Sequence, residues 1–161
     1  MGYVERAHDI IENPASKENL QEEKEEINEL YRQFFSEKIS RVELSTQLSS
    51  VEERTPESKI ELPWIGPLYG LLRKIGIPQE KVKEVVVEEK EHYISAQTEG
   101  IQINGVCLMF TQDHVTGTKY VQPFLLFNIP EGLSDQETRN KLKRFFLAPE
   151  DPSPDDLAKI P

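Results

Sequence analysis

Apolar residues in the N-terminal third of the chain recur at helical spacing. Between residues 17 and about 38 they fall on one stripe of a helix with 3.6 residues per turn, and glutamates occupy much of the opposite side. Ser16 is the expected N-cap of this helix. A shorter helix is predicted before it, over about residues 3–11, and ends ahead of Pro14. The apolar stripe consists of Leu20, Ile27, Leu30, Tyr31, Phe34 and Phe35.

A further helix is predicted directly after this long one. Ser40 and Glu43 have the spacing of a capping box, in which each residue caps the backbone of the other, and the helix would run to about residue 53. We expect it to pack against the long helix as an antiparallel hairpin. One continuous bent helix is the alternative.

The middle of the chain is predicted to hold a short helix followed by a sheet. In the apolar segment 61–78, Pro67 can begin a helix that Gly76 closes. Beyond it the β-branched run Val85–Val87 predicts a strand over 82–96, although a run of valines among Glu and Lys leaves a helix over 79–91 as the alternative.

Two more strands are predicted, over 101–111 and 119–129. Asn104 and Gly105 indicate a bulge or a tight hairpin in the first, and Pro123 indicates an edge position or a bulge in the second. The simplest arrangement is a three-stranded antiparallel sheet with helices covering one face.

The C-terminal part combines a helix with a proline-rich segment. Ser134 and Glu137 form another capping box before a helix to about residue 147. Residues 149–161 contain four prolines and four acids and are expected to be a mobile tail. The sequence therefore predicts one α+β domain made of an acidic helical region (1–56), an α+β core (57–148) and the tail (149–161).

The acidic net charge favours some classes of binding partner over others. The net charge is −10, and residues 1–56 alone carry 13 acidic residues against 7 basic ones. Such a surface repels nucleic acids and anionic membranes and is compatible with a basic protein partner. One cysteine, Cys107, offers no disulfide framework, so a cytoplasmic location is expected.

No local motif for catalysis, a cofactor or a metal is present. The glycines fit no phosphate-binding loop, and no nucleophile elbow or HExxH sequence occurs. His8, His92 and His114 are predicted to be three separate surface histidines. Glu89 and Glu91, two residues apart on the predicted strand, are expected on its wet face. We therefore expect no catalytic residue, cofactor or metal ligand, and the sequence favours a non-enzymatic protein.

Aromatic and basic side chains remain as candidate binding residues. Trp64 and Tyr69 lie among prolines and are candidates for a partner surface, with a core position for Trp64 as the alternative. The stripe residues Tyr31, Phe34 and Phe35 are further candidates. The only basic cluster, which could bind an anion or simply stabilise a helix C-terminus, consists of Arg139, Lys141, Lys143 and Arg144.

Three functions follow from these patterns. The first is a regulatory, assembly or other protein-interaction module, with self-association open. The second is an acidic inhibitor that mimics nucleic acid and binds a basic protein. The third is a small-molecule-binding domain or enzyme whose pocket has the sheet as its floor.

Overall fold

The computed structural model describes residues 2–12, 17–52, 59–112 and 115–161. Within these ranges the chain forms seven helices and three strands, and the predicted α+β class is confirmed. None of the described helices is long and apolar enough to span a membrane. In chain order the elements are α1 (Tyr3–Glu12), α2 (Lys17–Phe35), α3 (Arg41–Glu52), β1 (Lys59–Leu62), α4 (Leu68–Lys74), α5 (Gln79–Glu99), β2 (Ile103–Gln112), β3 (Lys119–Phe127), α6 (Asp135–Phe146) and α7 (Pro154–Ala158).

The first three helices occur where the pattern predicts them. The Ser40 hydroxyl accepts a hydrogen bond from the Glu43 amide at 3.1 Å, and the Glu43 carboxylate accepts one from the Ser40 amide at 3.3 Å. A turn separates α2 from α3, and in it Glu37 has a φ of 63°. The two helices pack against each other, so they form a hairpin and not one bent helix. The predicted cap Ser16 lies outside the described residues.

The sheet has the strand order β1-β2-β3, and both pairings are antiparallel. The predicted bulge is present, since the β2–β3 register shifts between Ile103 and Gly105. β3 is an edge strand, as Pro123 indicated. The third strand, however, is β1, which lies just before the Trp64 segment. With only four residues, it is too short for an alternating pattern to stand out.

Residues 82–96 are not a strand, and this part of the prediction is wrong. They belong to the 21-residue helix α5, which starts after Pro78 and ends at Gly100 in the left-handed conformation. The helical alternative for residues 79–91 is therefore the correct one. Glu and Lys flank the valines throughout, and packing of a helical face outweighs the weak β preference of Val85–Val87.

Helices cover the sheet more fully than predicted. Successive side chains of a strand point to opposite faces, yet all five residues 106–110 of β2 are buried. The central strand is therefore covered on both faces, where the prediction covered one. This explains its unbroken apolar run and places Cys107 in the interior.

The C-terminal segment, predicted to be a mobile tail, contains α7 and contacts the rest of the chain. Ser153 caps this helix through its hydroxyl, and Pro154 occupies its first turn. Arg32 of α2 donates a hydrogen bond to the Ala158 carbonyl at 2.7 Å. Lys24, also on α2, forms an ion pair of 2.8 Å with Asp155. Because these contacts are polar, the hydrophobic pattern of the sequence did not indicate that the segment packs against α2.

Candidate ligand site

The inner face of α5 carries polar side chains among its apolar ones. Val82, Val85, Glu89, His92 and Ala96 are buried on this helix. Their spacing of three, four, three and four residues is the signature of one helical face. On a strand, Glu89 would share a face with Glu91 and not with His92. The incorrect strand assignment therefore concealed the pairing of a buried acid with a buried histidine, and it also caused the incorrect prediction that His92 lies on the surface.

Both ring nitrogens of His92 are within hydrogen-bonding distance of an oxygen. Nδ1 lies 2.8 Å from the backbone carbonyl of Phe145 on α6. A carbonyl only accepts hydrogen bonds, so Nδ1 carries a proton and donates it. Nε2 lies 2.8 Å from the Asp156 carboxylate on α7 and 3.8 Å from the Glu88 carboxylate, one turn earlier on α5. The ring is therefore fixed in orientation, with Nε2 directed at two carboxylates.

Asp156 is held in place from its own helix as well. The Ser153 hydroxyl lies 3.0 Å from Asp156 Oδ2, the same oxygen that faces His92. Asp156 is only 9% exposed. Close by, the Lys159 ammonium donates to the Asp155 carbonyl at 3.1 Å and lies over the Phe146 ring. His92 of α5 and Asp156 of α7, 64 residues apart in sequence, thus lie in one charged cluster next to α6.

Glu89 lies beside this cluster with one oxygen unsatisfied. Its side chain is 4% exposed, and Oε2 has no hydrogen-bond partner within the described part of the chain. The same is true of Oδ1 of Asn28 on α2, a residue that is 1% exposed. A buried acceptor without a hydrogen bond lowers the stability of the fold, so a partner that binds either oxygen would stabilise it.

Both residues line one cavity of about 100 Å³ between α2, α5, β3, α6 and α7, here called the acidic cavity. Its wall also includes apolar side chains of β3 and α6. Its polar and charged lining residues are Glu23, Lys24, Asn28, Glu88, Glu89, His92, Gln122, Ser153, Asp155, Asp156 and Lys159.

Four ionisable side chains in the acidic cavity have pKa values that differ from their ordinary values. Burial raises the pKa of Glu89 to about 8, against a weaker opposing effect of His92. Burial also opposes protonation of His92, but its hydrogen bonds to Asp156 and Glu88 outweigh this and raise its pKa to about 10. Burial likewise opposes ionisation of Asp156, yet His92 holds the pKa of that carboxyl below its usual value. Burial lowers the pKa of Lys159. At neutral pH, His92 and Asp156 therefore form a charged pair beside a protonated Glu89.

A larger, open cleft lies elsewhere, near the end of β3. It has a volume of about 1000 Å³ and is lined in part by α3, the C-terminal end of α5 and α6. Side-chain amides of Gln102, Asn104 and Asn128 hydrogen-bond to one another along its wall. These amides already hydrogen-bond to one another, so we place the candidate site in the smaller acidic cavity, where two unsatisfied oxygens lie.

The predicted partner-binding residues separate into two groups. Phe34 is fully buried and Tyr31 is 4% exposed, while Phe35 packs against the same core. Phe34 and Tyr31 therefore stabilise the fold of this chain and do not present a surface, while Phe35 is half-buried beside them. Trp64, by contrast, is 61% exposed and Tyr69 is 39% exposed. The alternative that Trp64 is a core residue is therefore wrong.

Most of the predicted anion-binding cluster is engaged within the chain. Arg144 donates two hydrogen bonds to the Glu99 carboxylate, at 2.6 and 2.8 Å, and Lys141 donates to the Glu99 carbonyl. Arg139 donates to the Phe34 carbonyl and stacks on the Phe34 ring. Lys143 is exposed. Three of the four cations thus bind their own protein and are poorly placed to bind an anion.

His8 and Glu91 are not among the residues that line the acidic cavity. His8 is on α1, and His114 lies outside the described residues. Glu91 accepts a hydrogen bond from the Glu150 amide at 3.0 Å. A helical interpretation of residues 79–99 would have placed Glu89 and His92 on the apolar face. Asp156 gave no comparable signal, because its partner is 64 residues away.

The chain matches no protein-family model, and comparisons with curated proteins and with solved structures find no match either. The interpretation of the site therefore rests on its own geometry.

Proposed function

We propose that this protein is a small-ligand-binding domain whose ligand is a compact cation held in the acidic cavity. The observation that carries the proposal is the Glu89 carboxyl, buried and with Oε2 unpartnered at the cavity wall. A buried acid raised to a pKa of about 8 lowers the stability of the fold, so stability does not explain its presence. Perturbed acids in cavities concentrate at functional sites.

The acidic cavity favours a cation that displaces the Glu89 proton, because three of its acids then face only two bases. Glu23 pairs with Lys59 and Asp155 pairs with Lys24. Glu88, Glu89 and Asp156 are the other acids of the wall, and they face His92 and Lys159. The two unsatisfied atoms, on Glu89 and Asn28, are both oxygens, which accept hydrogen bonds or coordinate a positive charge. A volume of about 100 Å³ restricts the occupant to a small ion or molecule.

Binding of small cations tests this proposal. The full chain would be titrated with methylammonium, guanidinium, Mg²⁺, Mn²⁺ and Zn²⁺ while amide NMR shifts and the melting temperature are followed. We expect saturable binding of at least one of them, with shifts centred on α5 and α7. Glu89→Leu should weaken it, because it removes the unpartnered carboxyl from the cavity wall. The control, Glu84→Gln on the exposed side of α5, should retain it. Absence of saturable binding by every cation, or full binding by Glu89→Leu, would contradict the proposal.

Protein interaction is the second candidate function, and the exposure of Trp64 favours it. Trp64 and Tyr69 lie five residues apart around the start of α4, and large exposed aromatics are typical of interface hot spots. Affinity capture with the full chain and with Trp64→Ala would show whether this surface retains a partner. The acidic inhibitor remains a prediction from charge. A cytoplasmic location remains a prediction from the cysteine content.

A further inference from the structure

We infer that Glu88, His92 and Asp156 form a binding site for a divalent first-row transition metal ion, with zinc as the most suitable probe. This inference rests on the proposed function, because it names the cation. Each of the three residues offers one ligand atom, and these atoms all lie within 4.8 Å of one another. No other such group occurs in the part of the chain that the structure describes.

The distances fit a metal after a small adjustment. Ligand atoms bound at about 2.1 Å in a tetrahedral site are about 3.4 Å apart. Nε2 of His92 lies 3.8 Å from Glu88 Oε1 and 2.8 Å from Asp156 Oδ2. The first separation must close slightly, the second must open by about 0.6 Å, and the separation between Glu88 and Asp156, which is within 4.8 Å, must also adjust to about 3.4 Å. Glu88 and His92 are four residues apart on α5, which places both on the same face, and α7 brings Asp156 opposite them.

The orientation of His92 is the one that metal ligation requires. A metal-bound histidine usually donates its other ring N–H to a carbonyl or carboxylate, which fixes the tautomer. The Nδ1 hydrogen bond to the Phe145 carbonyl does this and directs Nε2 to the carboxylates. On binding, the metal replaces the Nε2 proton, which leaves to solvent, and Nε2 donates its lone pair to the metal. Ser153 likewise orients the Asp156 carboxylate.

Glu89 gives an independent reason to place a cation here. Its Oε2 is buried and unpartnered, lines the same cavity as the three ligands, and follows Glu88 directly on α5. The ligand set of one imidazole nitrogen and two carboxylates suits zinc, iron or manganese better than calcium or magnesium, which prefer oxygen alone. Three protein ligands leave a fourth position open.

Metal binding would also join two distant parts of the chain. Glu88 and His92 belong to α5, while Asp156 belongs to α7, close to the C-terminus. A metal at this point would bridge the two helices. The stability of the folded chain should therefore rise with metal concentration, and the C-terminal segment should become harder to cleave.

The test is competitive zinc binding by the full, EDTA-treated chain. A chromophoric chelator would report affinity and stoichiometry, cobalt absorption would report coordination geometry, and the melting temperature would report coupling to folding. We expect one ion per chain and a melting temperature that rises with zinc. Glu88→Gln and His92→Gln should each weaken binding at least tenfold. Glu84→Gln on the same helix is the matched control and should bind zinc unchanged.

The outcomes distinguish this inference from the proposed function. Because Asp156→Asn could release α7, the partly exposed Glu88→Gln variant, checked for folding by circular dichroism, decides the result. Undiminished zinc affinity in both Glu88→Gln and His92→Gln would place the ion elsewhere and overturn the inference. If zinc and manganese fail to bind while methylammonium or guanidinium binds, and binds Glu89→Leu more weakly, only the metal assignment fails. If no cation binds, both fail.

Discussion

His92 on α5 donates a hydrogen bond to Asp156 on α7 across 2.8 Å, and this bond spans 64 residues of sequence. His92 is 5% exposed and Asp156 is 9% exposed. The bond connects the C-terminal helix to the middle of the chain and forms one wall of the acidic cavity. Whether α7 remains in place therefore depends on a charged pair in the interior.

Asp156→Asn is expected to weaken the attachment of α7. It removes the negative partner of a buried imidazolium, and hydrogen bonds to charged groups contribute about 1.5–3 kcal/mol. The free energy of unfolding should fall by about 2 kcal/mol in urea titrations, and trypsin should cleave near the C-terminus sooner. Asp151→Asn, an exposed acid just before α7, should change neither result. Equal stability of the parent and the Asp156 variant would show that the pair does not hold α7.

Glu89→Gln is expected to change stability in a pH-dependent way. Burial raises the folded-state pKa of Glu89 to about 8, above its ordinary value of 4.5. Below pH 4.5 the carboxyl is neutral in both states and has no cost. Between pH 4.5 and 8 the cost grows by about 1.4 kcal/mol per pH unit, reaching about 3 kcal/mol at pH 7. Above pH 8 it stays constant.

The comparison between two pH values isolates this effect. Urea titrations at pH 5 and pH 8 should show the free energy of unfolding of Glu89→Gln rising relative to the parent as pH increases. The charged groups that face Glu89, namely His92, Glu88, Asp156 and Lys159, are present in both proteins, so their contributions to the difference largely cancel. Glu84→Gln should show no such trend. A difference that is the same at both pH values would mean that Glu89 is ionised in the folded state.

The buried ion pair of Glu23 and Lys59 is expected to tolerate joint but not single replacement. Lys59 of β1 is 6% exposed and forms an ion pair with Glu23 of α2, which is 4% exposed. Lys59→Met alone leaves a buried carboxylate without its cation and should cost about 3–5 kcal/mol. Adding Glu23→Leu should recover most of that loss, as measured by urea denaturation. Equal stability of the single and double variants would exclude a coupled pair.

Truncation is expected to destabilise the fold much more at Phe34 than at Trp64. Phe34→Ala empties a fully buried position and should cost about 3–5 kcal/mol. Trp64→Ala, at a position 61% exposed, should cost less than about 1 kcal/mol. Since Trp64 is the only tryptophan, acrylamide should quench native fluorescence nearly as well as that of the unfolded chain. Strong protection from quenching in a monomer would contradict the exposed position.

Short-range signals explain the parts of the fold that could be predicted. The capping boxes at Ser40 and Ser134 depend on residues three positions apart, and both are present. The edge position of β3 follows from Pro123, which cannot donate to a neighbouring strand. The valine run at 85–87 carried no decisive local signal, because a short apolar run fits either a helix or a buried strand.

The sequence by itself therefore determined the α+β class, the N-terminal helices and the bulge at Gly105. Only the tertiary structure decided that Glu88, Glu89 and His92 meet Asp156, that Phe34 is core and Trp64 surface, and that the C-terminal segment docks. The physical reason is the distance along the chain over which each interaction acts. Capping and periodicity act within a turn or two of backbone, whereas desolvation and charge pairing depend on which distant residues the completed fold brings together.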